Sequence, residues 1–186
     1  DRSEEGNRTP SLVYLDHHAT TPLAPGVLDA MLPYLREDYG NAASTTHALG
    51  WRAEAAVEDS RERIAAALSA EPKEIVFTSG ATESNNLALF GVAGVARRGH
   101  IVSVVTEHPA VLDPCRQLEA MGFEVSLLPV SAQGLIHPGT VEDALREDTR
   151  LVSVMAANNE IGVVQPIAEI GALCRARGVL FHSDAA

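Results

Sequence analysis

The sequence predicts an α/β protein with a mainly parallel sheet and helices on both faces. Two observations carry that expectation. From Glu74 onward, short apolar runs alternate with helical segments in a strand, helix, strand, helix rhythm. The runs are apolar on nearly every residue, as in Ile101-Val-Ser-Val-Val105, which suits strands covered on both sides. Aromatic residues are only 4 % of the chain and alanine is abundant, which fits a helix-rich member of that class.

Taken in order, residues 1–11 are polar and are expected to be mobile. An ordered segment begins at Tyr14 and Leu15, is punctuated by Pro22 and Pro25, and gives way to a helix that ends near Glu37. Residues 38–46 form a loop rich in Gly, Asn, Ser and Thr. A long helix follows from about His47 to Ser69, with Val57, Ile64 and Leu68 at near-helical spacing and Glu54, Glu58 and Arg61 turned to water. Strands are expected at 75–78, 101–105, 124–128, 150–155 and 179–183, and helices near 82–97, 109–121, 139–147 and 166–177. No internal repeat or low-complexity linker interrupts the pattern.

Composition narrows the function. The formal charge of −11 argues against nucleic acid or an anionic membrane as the main partner. No apolar run is long enough to span a bilayer, and no secretion signal opens the chain, so a cytoplasmic location is expected and the Asn7-Arg-Thr9 sequon is discounted. Cys115 and Cys174 lie far apart in helical contexts and read as reduced core thiols. His17 and His18 would point to opposite faces of a strand, so a metal site with His47 is not expected.

The segment Glu74–Leu89 is the most informative. A buried strand runs into a turn at Gly80, where glycine relieves the backbone, and then into a helix that Thr82 is placed to cap. Such a helix start offers free backbone N–H groups and a positive dipole end to a phosphate. In parallel sheets, ligands bind beyond the carboxyl ends of the strands. Collected there are Ser79–Thr82, Thr106-Glu-His-Pro109, Asn158-Asn-Glu-Ile-Gly162 and Asp184. Each has a plain structural use as well. His108 can cap the next helix, the asparagine pair can turn the chain, and Asp184 can form an Asx turn. Together they suit pyridoxal 5'-phosphate: a phosphate loop, an imidazole to stack on the ring, a carboxylate for the ring nitrogen, and an amide at Asn159 for the ring oxygen or a substrate carboxylate.

The chain resembles the N-terminal half of a cysteine desulfurase of the housekeeping iron–sulfur-assembly type, a class-V aminotransferase. The runs that carry the resemblance are Tyr14-Leu-Asp-His-His-Ala-Thr-Thr-Pro22, Phe77-Thr-Ser-Gly-Ala-Thr-Glu-Ser84, Thr106-Glu-His-Pro-Ala-Val-Leu-Asp113, Asn158-Asn-Glu-Ile-Gly-Val-Val-Gln165 and His182-Ser-Asp-Ala185. They extend the likeness over residues 12–186. The resemblance implies the large domain of the fold type I pyridoxal phosphate enzymes, with residues 1–20 as an arm and 21–186 as the N-terminal part of that domain. It implies that Ala81 and Thr82 meet the phosphate, His108 stacks and moves protons, Asn159 contacts cofactor and substrate, and Asp184 binds the ring nitrogen. The implied reaction takes L-cysteine to L-alanine and passes persulfide sulfur to an iron–sulfur scaffold or another acceptor. A homodimer is implied too. Ala42 stands where the family often has proline, and His17-His18 where a tyrosine with a small polar residue is common.

The family's cofactor-binding lysine, sulfur-carrying cysteine and substrate-binding arginine have no counterpart here. Lys73 is the only lysine, and it precedes the strand at the wrong end of the sheet. The expectation is therefore one part of a subunit roughly twice as long, since a sheet ended at this point exposes an edge and apolar surface; the rest of that subunit is an implied partner, and the 186 residues alone are expected to be inactive. Selenocysteine lyase uses the same constellation and is the nearest alternative. An aminotransferase of the same fold and a non-catalytic binding or assembly module are the others.

Overall fold

The computed structural model describes residues 13–17 and 19–186. The expected mobile segment 1–11, the sequon at Asn7 and the residue His18 lie outside the described residues. The contacts divide the chain into two compact units: the described residues up to Ala19 together with Thr78–Ala186, and Thr20–Phe77.

The larger unit holds a four-stranded, fully parallel sheet. Its strands are β1 (His100–Val104), β2 (Glu124–Leu128), β3 (Thr149–Ser153) and β4 (Leu180–His182), in the spatial order β2-β1-β3-β4. Four helices accompany it: α3 (Ala81–Ala96), α4 (Pro109–Ala120), α5 (Pro138–Ala144) and α6 (Ile167–Ala176). The chain steps one way from β1 to β2 and then crosses back over β1 to β3. Right-handed crossovers in opposite directions put their helices on opposite faces.

The core confirms this. Successive strand residues point to opposite faces, so Val102, Val104, Val152 and Val154 pack with Val141 of α5 and with Ile170 and Cys174 of α6. Their neighbours Ile101 and Leu151 pack with Leu89 and Ala93 of α3 and with Val111, Cys115 and Leu118 of α4. Each fully buried side chain of this kind contributes about 2 kcal/mol. At the amino end of the sheet, buried His100 joins three strands. Its Nδ1 bonds Thr149 Oγ1 at 2.9 Å and its Nε2 bonds Ser126 Oγ at 2.8 Å.

The smaller unit carries α1 (Val27–Arg36), α2 (Ala48–Leu68) and a 3-10 turn at Pro72–Glu74. His47 caps α2, its ring accepting the Gly50 N–H at 3.2 Å, and Ser69 ends the helix in the left-handed conformation. The loop before α2 folds tightly onto its first turn. A Cβ on Gly50 would stand 1.8 Å from the Ser44 carbonyl oxygen, so only glycine fits. Trp51 Nε1 donates to the Thr45 carbonyl at 2.7 Å and closes the same loop. Lys73 lies exposed in the 3-10 turn.

Two expectations are corrected. Residues 75–78 are not a strand. Ile75 is extended (φ −93°, ψ 123°), but the segment pairs with no strand among the described residues, and Val76 and Phe77 stay exposed. An apolar, β-branched run supplies the conformation; a ladder needs a partner edge as well. Thr82 is not the cap of α3. Gly80 occupies that position, no side chain among the described residues caps the helix, and Thr82 lies within the first turn.

Candidate active site

The crevice of a parallel sheet opens where its strand order reverses, here between β1 and β3. The turn after β1 and the loop after β3 face each other across it. In each, a buried residue anchors the chain beside an exposed one. Glu107 is buried and His108 exposed; Asn158 is buried and Asn159 exposed.

The anchors are specific. The Asn158 side chain donates to the Thr106 carbonyl at 2.8 Å, tying the two segments together. Its Oδ1 accepts the N–H groups of Glu160 and Ile161 at 2.9 and 3.0 Å, which turns the chain back. The loop closes through an antiparallel bridge between Ala157 and Val164, with Gly162 at φ 68°. Glu107 Oε1 accepts the Met155 N–H at 2.6 Å. Gln165, also buried, clamps the neighbouring 131–136 loop through Ile136 N–H and the Gly134 carbonyl.

His108 does cap α4: its Nδ1 accepts the Ala110 N–H at 3.0 Å. Capping does not compete with a role in the cavity. An accepting Nδ1 leaves the proton of the neutral ring on Nε2, and the ring still lines the cavity described below.

The third contribution comes after β4. Asp184 Oδ2 accepts the Asn85 amide of α3 at 2.8 Å, and Oδ1 accepts the Ala186 N–H at 3.1 Å, an Asx turn. Sequence reasoning missed Asn85, although a signal for it exists. The buried stripe of α3 is Asn85, Leu89 and Ala93 at four-residue intervals, and a polar residue in an apolar stripe calls for a buried partner.

α3 supplies the fourth wall. Gly80 has φ 159° and ψ −179°, a conformation essentially reserved for glycine, and a Cβ there would meet nothing within 4 Å. Glu83 turns away from the helix entrance to Ser79, accepting its N–H at 2.7 Å and its hydroxyl at 2.6 Å; those bonds hold its carboxyl below the ordinary range.

A cavity of about 330 Å³ is lined by Ala81, His108, Asn159 and Asp184, with Ala19, Met155, Ala157 and Ala186. Four of the five residues expected from sequence thus share one cavity, at the low end of the size range of small-molecule sites, roughly 300 to 1,000 Å³. Thr82 does not line it; its carbonyl accepts the Asn86 side chain at 2.8 Å.

Burial sets the electrostatics behind the wall. Glu107 is pushed up to about 7, by burial first and by the charge of Asp184, against the opposing Met155 hydrogen bond. His182, bonded through Nδ1 to Ser153 Oγ at 2.8 Å, is held below its ordinary value by burial. Both cysteines are free and buried. The Cys115 thiol is pushed up to about 12 by burial and then by Glu107, and Cys174 is raised by burial. Neither has the low-pKa, accessible setting of a reactive thiolate. Among the described residues no group of three or more His, Cys, Asp or Glu is arranged to hold a metal, and no helix is long and apolar enough to cross a membrane.

The chain is similar to known proteins over nearly its whole length. The chain is 57 % identical to the human (Homo sapiens) cysteine desulfurase over 176 residues, covering 94 % of this chain and 38 % of that protein. It is 56 % identical to the cysteine desulfurase IscS of Rickettsia akari, covering 94 % of this chain and 43 % of the relative. A solved structure described as SspA in complex with cysteine superposes with a TM-score of 0.88 at 43 % identity, over 93 % of this chain and 50 % of the other. The chain therefore spans about two fifths of these curated relatives. The aminotransferase class-V family model matches residues 13–186, and the chain belongs to that family.

Proposed function

We propose that this chain supplies the cofactor-binding edge of a pyridoxal phosphate-dependent cysteine desulfurase. The observation that carries the proposal is the single cavity lined by Ala81, His108, Asn159 and Asp184, in which Asp184 is held by Asn85. The desulfurase relatives and the cysteine bound to one of the solved structures support cysteine as the substrate.

The residues fit the cofactor. The first turn of α3 is capped by no side chain and starts at an open glycine, so its N–H groups and dipole suit a phosphate near Ala81 and Thr82. The Asp184 carboxylate keeps lone pairs beyond those that Asn85 and the Ala186 N–H occupy, enough to accept a ring N–H. When bound, the protonated pyridine ring serves as an electron sink for the carbon beside the substrate amine. His108 lines the cavity with the ring proton at Nε2 and is suited to stack and to pass a proton between substrate and solvent. Asn159 offers an amide to cofactor or substrate. Transfer of the sulfur to an iron–sulfur scaffold or another acceptor and assembly as a homodimer belong to the same proposal and rest on the family likeness; a cytoplasmic location is proposed with them on the likeness to the bacterial relative.

Borohydride reduction followed by denaturing mass spectrometry tests this reading, because reduction fixes pyridoxal phosphate to the lysine that holds it. The expected result is an adduct on a lysine outside these 186 residues, in a protein that converts cysteine to alanine and loses turnover in Asp184→Ala. An adduct on Lys73, a keto acid as product, or near-normal activity of Asp184→Ala would overturn it.

A further inference from the structure

Glu107 has no part in the reading above, and its surroundings are unusual. It is 5 % exposed, and none of the ion pairs among the described residues includes it. Oε1 accepts the Met155 N–H at 2.6 Å, while Oε2 is buried without a hydrogen-bond partner among the described residues. Its carboxyl feels the charge of Asp184 beyond β4, and it acts in turn on the buried Cys115 thiol of α4. A buried carboxylate oxygen with no donor, in the field of a second carboxylate, costs several kcal/mol as an anion and far less as a neutral acid.

The position explains why the group is kept. Glu107 directly precedes His108, and Met155, which it bonds, lines the cavity itself. With the bond from Asn158 to the Thr106 carbonyl, it makes the second of two links between the His108 turn and the chain leading to Asn159. Resting on the cofactor reading above, we propose that Glu107 is a positioning residue of this cavity that works as the neutral acid, latching the His108 turn to the Met155 backbone without adding a second negative charge behind the cavity wall. Burial first, and then the charge of Asp184, push the carboxyl up to about 7 against the Met155 hydrogen bond, so the neutral form predominates below that pH.

The complete protein, Glu107→Gln and Glu107→Ala separate the two halves of the proposal. Infrared difference spectroscopy at about pH 6, without added cofactor, reads the proton; the expected result is a carboxylic acid C=O band that Glu107→Gln removes. Titration with pyridoxal phosphate reads the positioning. Glu107→Gln is expected within about twofold of wild type and Glu107→Ala about tenfold weaker. Absence of the acid band, or a Glu107→Gln as weak as Glu107→Ala, overturns the neutral acid. A Glu107→Ala that binds like wild type overturns the positioning role. A wild type that takes up no pyridoxal phosphate overturns the cofactor reading and the positioning role with it, while the infrared band still decides the proton.

Discussion

Asn85 and Asp184 lie 99 residues apart in the chain and meet at 2.8 Å, the amide of α3 donating to the carboxylate beyond β4. The bond joins the first turns of one helix to the end of the last strand. It sets the direction in which Asp184 presents its remaining lone pairs to the cavity. Removing the amide frees the carboxylate to rotate and leaves space beside a half-buried charge. Asn85→Ala is therefore expected to bind pyridoxal phosphate about tenfold more weakly, about 1.4 kcal/mol. Asn85→Asp sets a second anion against Asp184 and should lose more. Equilibrium titration followed by cofactor absorbance measures both; an Asn85→Ala that binds like wild type would refute the coupling.

The adjacent asparagines divide their work. The Asn158 side chain makes four hydrogen bonds, to the Thr106 carbonyl, the Met155 sulfur and the N–H groups of Glu160 and Ile161, and Asn159 lines the cavity. Asn158→Ala should lower the unfolding free energy by about 1 to 3 kcal/mol, since it leaves part-buried backbone groups without these partners. Asn159→Ala should stay within about 0.5 kcal/mol of wild type in stability yet weaken ligand binding. Denaturant midpoints set beside ligand titrations check the pair, and the reverse pattern would exchange their roles.

His100 gives the fold a pH dependence at the far end of the sheet. Burial first, and then Arg146, hold its imidazole below the ordinary value, against opposing pulls from Asp148 and Glu124. The folded state thus favours the neutral ring. Stability from this group is fully present above about pH 6.5, the unfolded value, and falls as the pH drops below it because the unfolded chain binds the proton more readily. His100→Ala should flatten that part of the profile. It should also cost about 2 to 3 kcal/mol at neutral pH through the cavity and the lost bonds to Ser126 and Thr149. Urea unfolding at a series of pH values reads both effects.

The alternating apolar runs foretell the parallel sheet, since strands covered on both faces need little polar content, and three of the observed strand ranges shift by a residue or two from those expected. The run at 75–78 reads the same way and forms no strand, because local sequence specifies an extended backbone but not the edge it pairs with. Thr82 shows the same limit on a smaller scale. Ser, Thr or Asn near a helix start signals a cap, but the position that caps is set by backbone geometry, which here selects Gly80.

The sequence by itself determined the class of fold, the family, and the residue types at the carboxyl edge: His108, Asn159, Asp184 and the glycine turn before α3. These follow from short-range pattern and from chemistry written in single runs. Only the tertiary structure decided that Ala81, His108, Asn159 and Asp184 share one cavity and that Thr82 stands outside it. It also decided that Asn85 holds Asp184 and that Glu107 is buried behind the wall with one oxygen unpartnered among the described residues. Hydrogen bonds across tens of residues and the desolvation of a carboxylate depend on which strands become neighbours, and that order is a property of the packed sheet.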